Sequence, residues 1–347
     1  MSEWQAPPPN PGQSGYPMPP SYIPPAGYAV PPGYPAVPAY PTGGGFPGDP
    51  LVSADYAGWF RRGVAIVKRG WKQLAALQTV GLVPALIVGI PVSVLTGVRR
   101  DDLLGRLNNT TTGTELQVSD FTDLIPVLAL ALGGAVVSFI VTAVITLAAV
   151  HVAASAAAGL EPTVGDALRL AGRRVLPLIG WELLFVPIAL VAVCACVLPV
   201  LYVAAVAAVL AAVVAVERSN AVARCFGLFN NNLGLSLSRI ATIFGITIAA
   251  GLVSSVFGGI FRATLAASGA IVAGVVTSTV VSAAFSAAVG VLAAPLTLTA
   301  YADMRARKDG ITGATILYEL GIASPTTPAT GPGGTPPVWP GPTPPAA

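Results

Sequence analysis

Long apolar runs alternate with short polar segments through the middle of the chain. Six of these runs have about the 20 residues that a helix needs to cross the hydrocarbon core of a bilayer. They lie at about 79–98, 124–150, 175–197, 199–216, 240–260 and 270–300. The pattern predicts an all-α fold, a polytopic membrane bundle of six transmembrane helices. The third and fourth runs adjoin at Leu198 and Pro199, where a tight hairpin is expected.

An amphipathic segment precedes the first run. Large apolar residues recur there at the spacing of one helical stripe, and basic residues fall on the far side. The stripe comprises Phe60, Val64, Val67 and Trp71. The basic face comprises Arg61, Lys68, Arg69 and Lys72. This arrangement predicts an interfacial helix whose cations face the anionic head groups of the inner leaflet.

The same apolar offsets recur ahead of the third and fifth runs. The two further stripes are Val164, Leu168, Ala171 and Val175, and Val222, Phe226, Phe229 and Leu233. One interpretation is three units, each an interfacial helix followed by a transmembrane hairpin. The alternative is coincidence, since four matching offsets arise by chance in apolar-rich sequence.

Both ends of the chain have a different composition from the middle. Residues 1–50 are rich in proline, tyrosine and glycine, and residues 321–347 are a shorter proline-rich segment. Such segments cannot bury enough apolar surface to offset chain entropy, so two disordered tails are expected around a membrane domain at 51–320. Tyrosine recurs every six residues in the first tail, at Tyr16, Tyr22, Tyr28, Tyr34 and Tyr40. The tails either bind protein partners or are solvated segments of biased composition.

Composition agrees with a membrane protein. Of 347 residues, 54% are hydrophobic and only 10% are charged, whereas soluble domains carry charge at about 25% of positions. The net charge of +3 is small and the basic residues flank apolar runs, which argues against nucleic-acid binding. The N-terminus lacks the short apolar stretch of a signal peptide.

Basic residues also predict the orientation of the spans. Lys and Arg concentrate in cytoplasmic loops. With both termini inside, the outer segments keep only four basic residues, Arg99, Arg100, Arg106 and Arg262. The expected location is the cell (plasma) membrane, with both termini in the cytoplasm.

Glu182 is the one acidic residue placed well inside a predicted span. It lies seven residues past Val175, about 10 Å along a helix. An intramembrane carboxylate is costly and is a functional hypothesis by default. It could bind a cation, relay a proton or hydrogen-bond a neighbouring helix.

No catalytic, metal or cofactor site is predicted. His151 is the only histidine, and Cys194 and Cys196 point about 200° apart on a helix, so they cannot share a metal and are expected to pack. The chain has no P-loop, GxSxG or HExxH motif and no GxGxxG motif that opens a βαβ unit.

Glycine and alanine are frequent in the second, fourth, fifth and sixth spans. They allow helices to approach closely, which favours a compact bundle and leaves homo-oligomerisation open. Examples are Gly133, Gly134, Gly251, Gly258, Gly259 and Gly290.

Two stretches resemble a known family. "LTAYADMRARKDGI" resembles the end of the glycerophosphoryl diester phosphodiesterase membrane domain, and "ERSNAVARCFGLFNNN" is similar to that family's second signature. The matching positions are Tyr301, Asp303, Arg305, Arg307 and Gly310, and Glu217, Ala221, Arg224 and Cys225. The resemblance covers about residues 55–320 and implies six spans in an actinobacterial-type membrane protein, without the separate hydrolase domain and with no catalytic role.

The charges of the C-terminal motif suggest an anchor for the last span. At a helix C-terminus, Arg305 and Arg307 complement the helix dipole, and Asp303 is expected to pair with Arg307 at i, i+4. Tyr301 is expected at the membrane interface.

The sequence therefore supports two functional hypotheses. The first is a non-enzymatic membrane scaffold or adaptor whose tails recruit cell-envelope factors. The alternative is a transporter or lipid-handling bundle that uses Glu182. An enzyme within the membrane is disfavoured because the spans lack converging polar residues.

Overall fold

The computed structural model describes residues 49–109, 124–217 and 220–322, and side chains are described outside 98–109 and 124. The predicted tails therefore lie almost wholly outside the described residues. The described part of the chain is helical and contains no strand. The helices are α1 (Tyr56–Asn109), α2 (Leu124–Ala157), α3 (Val164–Ala195), α4 (Val197–Ala207), α5 (Leu210–Val216), α6 (Ala221–Asn231), α7 (Leu233–Ala267), α8 (Ile271–Asp309) and α9 (Gly313–Glu319).

Six segments of the described chain are long and apolar enough to cross a membrane. They are Tyr56–Gly97, Ile125–Ala157, Val164–Ala195, Val197–Val216, Leu233–Ala267 and Ile271–Asp309. The prediction of an all-α, multi-pass membrane bundle is confirmed.

The amphipathic segments differ from the expected separate helices. The first is continuous with its span in α1, and the second is continuous with its span in α3. Only α6 is separate from the span that follows, because the backbone of Asn232 departs from helical geometry. Helix propensity explains why α1 continues without a break, since the segment Lys72-Gln-Leu-Ala-Ala-Leu-Gln contains no residue that ends a helix.

The third and fourth spans separate at Cys196 rather than at Leu198 and Pro199. Cys196 has an extended backbone between α3 and α4, and Pro199 lies in the first turn of α4, where its missing N–H costs no helical hydrogen bond. Cys194 and Cys196 are exposed at this turn. The packing expected for these two cysteines is therefore not found among the described residues.

Helices α1 and α8 lie at the centre of the packing. Helix α1 packs against α8 and α2, while α7 packs along α8 and α3 along α2. Glycines permit the close contacts of α1. A Cβ atom on Gly63 would lie 2.5 Å from Cδ2 of Leu296, and one on Gly81 would lie 2.7 Å from Cγ1 of Ile145.

The core is concentrated at one end of the bundle, which we call the packed end. It contains the start of α1, the last turns of α2 and α8, the starts of α3 and α7, and helices α5, α6 and α9. At the opposite end, which we call the open end, the helices expose large apolar side chains. Examples are Ile87, Ile125, Leu132, Leu190 and Leu252. Such surface is expected where lipid replaces water as the solvent.

In the amphipathic part of α1, the side that faces the protein is shifted by one residue from the predicted stripe. Trp59, Gly63 and Ile66 are buried, whereas Phe60 is 39% exposed and Trp71 is 53% exposed. The large apolar stripe of α1 therefore faces away from the bundle. The stripes of α3 and α6 pack mainly on the core instead, so the three segments are not equivalent.

Candidate functional site

The segment before α1 connects the two ends of the described chain. The Asp49 carboxylate accepts hydrogen bonds from the N–H groups of Leu51 and Val52, each at 2.8 Å. Its second oxygen accepts from the N–H of Gly313, the first residue of α9, at 2.8 Å. Leu51 and Val52 are buried in the core. This clamp fixes residues 49–53 against α9 and the end of α8.

A buried ion pair lies beneath this segment. Asp303 of α8 and Arg239 of α7 are 0% and 1% exposed, and Nη2 of Arg239 is 2.7 Å from Oδ2 of Asp303. Ser53 completes the site, because its N–H donates to Oδ1 at 2.5 Å and its hydroxyl donates to Oδ2 at 2.9 Å. One carboxylate thus joins α7, α8 and the segment before α1.

Trp59 packs against Arg239 at the edge of this site. The guanidinium lies over the indole ring at 6.0 Å from the ring centroid, a distance at which the ring attracts a cation. The indole N–H donates to the carbonyl of Leu296 at 3.2 Å. Nε and Nη1 of Arg239 have no hydrogen-bond partner among the described residues, so the pair with Asp303 is the main compensation for this buried charge.

The expected pairing of Asp303 with Arg307 is wrong. Asp303 forms its ion pair with Arg239, and Arg307 donates instead to the carbonyl of Ala54 at 2.9 Å. The reason is tertiary: the side of α8 that carries Asp303 is covered by α7 and residues 51–53. Tyr301 is also fully buried in protein, rather than placed at a lipid interface.

A second polar group surrounds Glu217, directly after α5. The hydroxyl of Tyr301 donates to Oε1 of Glu217 at 2.7 Å, and Nε of Arg224 donates to Oε2 at 2.6 Å. Nε of Arg305 lies 3.4 Å from Oε1, and its Nη1 donates to the hydroxyl of Tyr301 at 3.2 Å. Glu217 therefore joins α6 and α8 through three side chains.

Two further carboxylates complete what we call the Glu217 network. Asp309 pairs with Arg224, with Nη1 donating to Oδ1 at 3.2 Å, and lies 3.4 Å from Nε of Arg305. Glu319 of α9 pairs with both terminal nitrogens of Arg305, at 2.9 Å from Nη2. The members of the network are Glu217, Arg224, Tyr301, Arg305, Asp309 and Glu319.

The environment of α6 affects two of its ionisable groups. Burial opposes the charge of Arg224, but its hydrogen bonds with Asp309 and Glu217 outweigh that effect and raise its pKa. Burial and the neighbouring Glu217 raise the pKa of Cys225 to about 12. A thiol that stays protonated at neutral pH is a poor nucleophile, so Cys225 is a packing residue.

Gly310 of the C-terminal motif ends α8. Its φ of 69° is left-handed, and its N–H donates to the carbonyl of Ala306 at 3.0 Å. Glycine adopts this conformation without steric cost. The turn directs the chain into α9, which brings Glu319 to Arg305.

Glu182 lies apart from both polar groups. It is half-buried in the middle of α3, and no hydrogen bond or ion pair to it is found among the described residues. Glu182 therefore does not hydrogen-bond a neighbouring helix in the described part of the bundle. The basic residues Arg61, Lys68, Arg69 and Lys72 are all exposed on α1.

Several residues of these groups were not predicted from the sequence. They are Asp49, Ser53, Trp59, Arg239, Asp309 and Glu319. Of these residues, Arg239 could have been singled out from the sequence, because it is a charged residue directly before the apolar run at 240–260. The others have no local pattern that separates them from surface residues.

The chemistry of these groups is structural. In the described residues, no set of three or more His, Cys, Asp or Glu side chains could hold a metal ion. Each charged group in the Glu217 network is paired within the protein. No protein-family model, curated protein or solved structure matches the chain.

Proposed function

We propose that the protein is a non-enzymatic scaffold of the cell membrane, with both termini in the cytoplasm and proline-rich tails that recruit cell-envelope factors. The observation that carries this proposal is the clamp between Asp49 and Gly313. The first tail ends next to Asp49 and the second begins a few residues after α9. Both ends of the described chain therefore lie in one packed region, since Leu51 and Ile322 both pack in the core.

The resemblance to the glycerophosphoryl diester phosphodiesterase membrane domain is part of the proposal. Its support is that the two motif stretches meet in space, since Glu217 and Arg224 contact Tyr301, Arg305 and Asp309. Motif residues that form one network explain why the two stretches would occur together. The resemblance adds no catalytic role.

The exposed basic face of α1 supports the cytoplasmic orientation. Arg61, Lys68 and Lys72 lie beside the exposed stripe that includes Phe60 and Trp71. Apolar side chains next to cations suit the boundary between acyl chains and anionic head groups. Membrane lipids of the inner leaflet are therefore the first proposed partners.

Cysteine labelling tests the orientation. Cys225 is buried and burial raises its pKa, so we expect it to stay unlabelled in the folded protein at neutral pH. In a background with Cys194→Ser and Cys196→Ser, we expect Ser2→Cys and Ala347→Cys to react with an impermeant maleimide only after the cells are permeabilised. Labelling of either terminus in intact cells would show that the orientation is wrong.

Deletion of the tails tests recruitment. Removal of residues 1–48 and 323–347 leaves the Asp49 clamp intact, so the membrane domain should keep its thermal stability. We expect envelope proteins that cross-link to the full chain in cells to be lost from the double deletion. The matched control is Lys72→Gln in the full chain, which should keep the same cross-links. Unchanged cross-linking of the double deletion would exclude the recruiting role.

The alternative of transport through Glu182 has less support. It requires polar side chains that converge on the carboxylate, and no hydrogen bond or ion pair of Glu182 is found among the described residues. We therefore retain the scaffold as the proposed function.

A further inference from the structure

A polar pocket lies at the open end, remote from the Glu217 network. It has a volume of about 370 Å³ and is bounded by the second half of α1, the end of α7 and the start of α8. This volume falls within the range of about 300–1,000 Å³ that is typical of small-ligand sites. Its lining includes an arginine and five hydroxyl side chains: Arg262, Ser93, Thr96, Ser278, Thr279 and Ser282.

Three of the hydroxyl groups present acceptors rather than donors. Thr96 donates to the carbonyl of Val92 at 2.7 Å, and Ser278 and Thr279 donate to the carbonyl of Val275 at 2.8 and 2.9 Å. Their protons are engaged within their own helices. The remaining lone pairs of these oxygens can accept hydrogen bonds from a ligand.

The other two hydroxyl groups retain donors. Ser282 accepts from the hydroxyl of Ser254 at 3.2 Å, so its own proton is left for another acceptor. No hydrogen bond of the Ser93 hydroxyl is found among the described residues. The pocket thus combines hydroxyl acceptors with hydroxyl donors.

Arg262 supplies a positive charge that close packing holds in position. A Cβ atom on Gly274 would lie 3.2 Å from both Cα and the carbonyl oxygen of Arg262, so the start of α8 packs directly on its backbone. A Cβ atom on Gly97 would lie 3.6 Å from Nη2, which places the guanidinium next to α1. A guanidinium has five N–H donors in a planar fork that suits phosphate, so it can serve more than one acceptor.

We propose that this pocket binds the head group of a phosphorylated polyol. The phosphate binds Arg262 together with Ser93 and Ser282, and the polyol hydroxyls donate to Thr96, Ser278 and Thr279. A ligand that is only an anion has no hydrogen-bond donor for the acceptor oxygens of Thr96, Ser278 and Thr279. The described lining residues include no carboxylate to pair with a quaternary ammonium head group. Such a head group also has no hydrogen-bond donor for the three acceptor oxygens.

The same head-group chemistry occurs in a lipid and in a soluble ester. Phosphatidylglycerol carries it in the membrane, and glycerol phosphate carries it in water. Exposed apolar side chains beside the pocket, including Phe261 and Val272, offer contacts for acyl chains. The inference rests on neither the tails nor the orientation of the bundle.

Lipid binding to the purified full-length protein tests the proposal. Native mass spectrometry from mixed micelles would compare phosphatidylglycerol, phosphatidic acid and phosphatidylcholine. We expect phosphatidylglycerol to bind best, and Arg262→Gln to weaken its binding about tenfold. Thr279→Val keeps the side-chain shape and should reduce the preference for phosphatidylglycerol over phosphatidic acid, because it removes an acceptor for the polyol.

Controls separate this site from general charge attraction. Arg173→Gln removes an exposed cation near the start of α3, at the packed end, and should leave phosphatidylglycerol binding unchanged. If Arg262→Gln binds like the wild type, or if Arg173→Gln weakens binding equally, the proposal is wrong. Should Arg262→Gln fail to fold, Thr279→Val decides the matter, and an unchanged lipid preference in that variant overturns the proposal.

Competition with glycerol phosphate identifies the source of the head group. Displacement of phosphatidylglycerol by millimolar glycerol phosphate supports a pocket that also admits the soluble ester. Failure of the ester to displace the lipid, with the Arg262 and Thr279 effects present, supports a lipid site.

Discussion

Replacing Asp303 with alanine is expected to destabilise the protein by about 3–5 kcal/mol, the cost of leaving one member of a buried ion pair without its partner. Arg239 is 1% exposed, and its Nε and Nη1 atoms have no hydrogen-bond partner among the described residues. Without the carboxylate, its charge would keep only the face of Trp59 and the weaker electrostatic attraction of Asp55. The N–H and hydroxyl of Ser53 would lose their acceptor as well.

Unfolding by SDS in mixed micelles measures this loss. The matched control is Asp309→Ala, which removes a partly exposed carboxylate from the same helix and should cost about 0–1 kcal/mol. The double variant Asp303→Leu with Arg239→Met should recover most of the loss, because apolar residues can replace a buried pair. A similar loss in the double variant would mean that the charge of Arg239 is not the cause.

Replacing Glu217 with alanine is expected to cost about 2–3 kcal/mol, in the range for lost hydrogen bonds to a charged group. Glu217 accepts from Tyr301 and Arg224 and lies 3.4 Å from Arg305. The buried Tyr301 hydroxyl would lose its acceptor. The two arginines would keep Asp309 and Glu319, so the loss is smaller than for Asp303.

The same unfolding measurement distinguishes Glu217 from the edge of its network. Glu319→Ala removes a more exposed carboxylate and should cost less than about 1 kcal/mol. Glu217→Gln should fall between the wild type and Glu217→Ala, since an amide oxygen can still accept from Tyr301. Equal effects of Glu217→Ala and Glu319→Ala would contradict a central role for Glu217.

The membrane fold could be predicted from the sequence because length and apolar composition alone decide whether a helix spans a bilayer. The side of α1 that faces the protein could not be predicted in this way. The predicted stripe followed large apolar residues, whereas the face that contacts α8 uses Trp59, Ile66 and the small residue Gly63. In lipid, large apolar side chains need not be buried, so their periodicity no longer marks the core.

The polar sites were predicted only in part. The C-terminal motif drew attention to Tyr301, Asp303 and Arg305, but spacing along one helix suggested Arg307 as the partner of Asp303. The true partner, Arg239, lies on α7. Periodicity within a helix is a local property, and it carries no information about which neighbouring helix covers a given face.

The contacts of residues 49–53 have a consequence for biosynthesis. During translation, Asp49 and Ser53 emerge long before Asp303 and Gly313, so this closure forms only after α8 and the start of α9 have been synthesised. A polypeptide that stops before Asp303 would enter the bilayer with the Arg239 charge unmatched and its leading segment undocked. Premature termination would thereby produce a protein that a membrane protease can recognise.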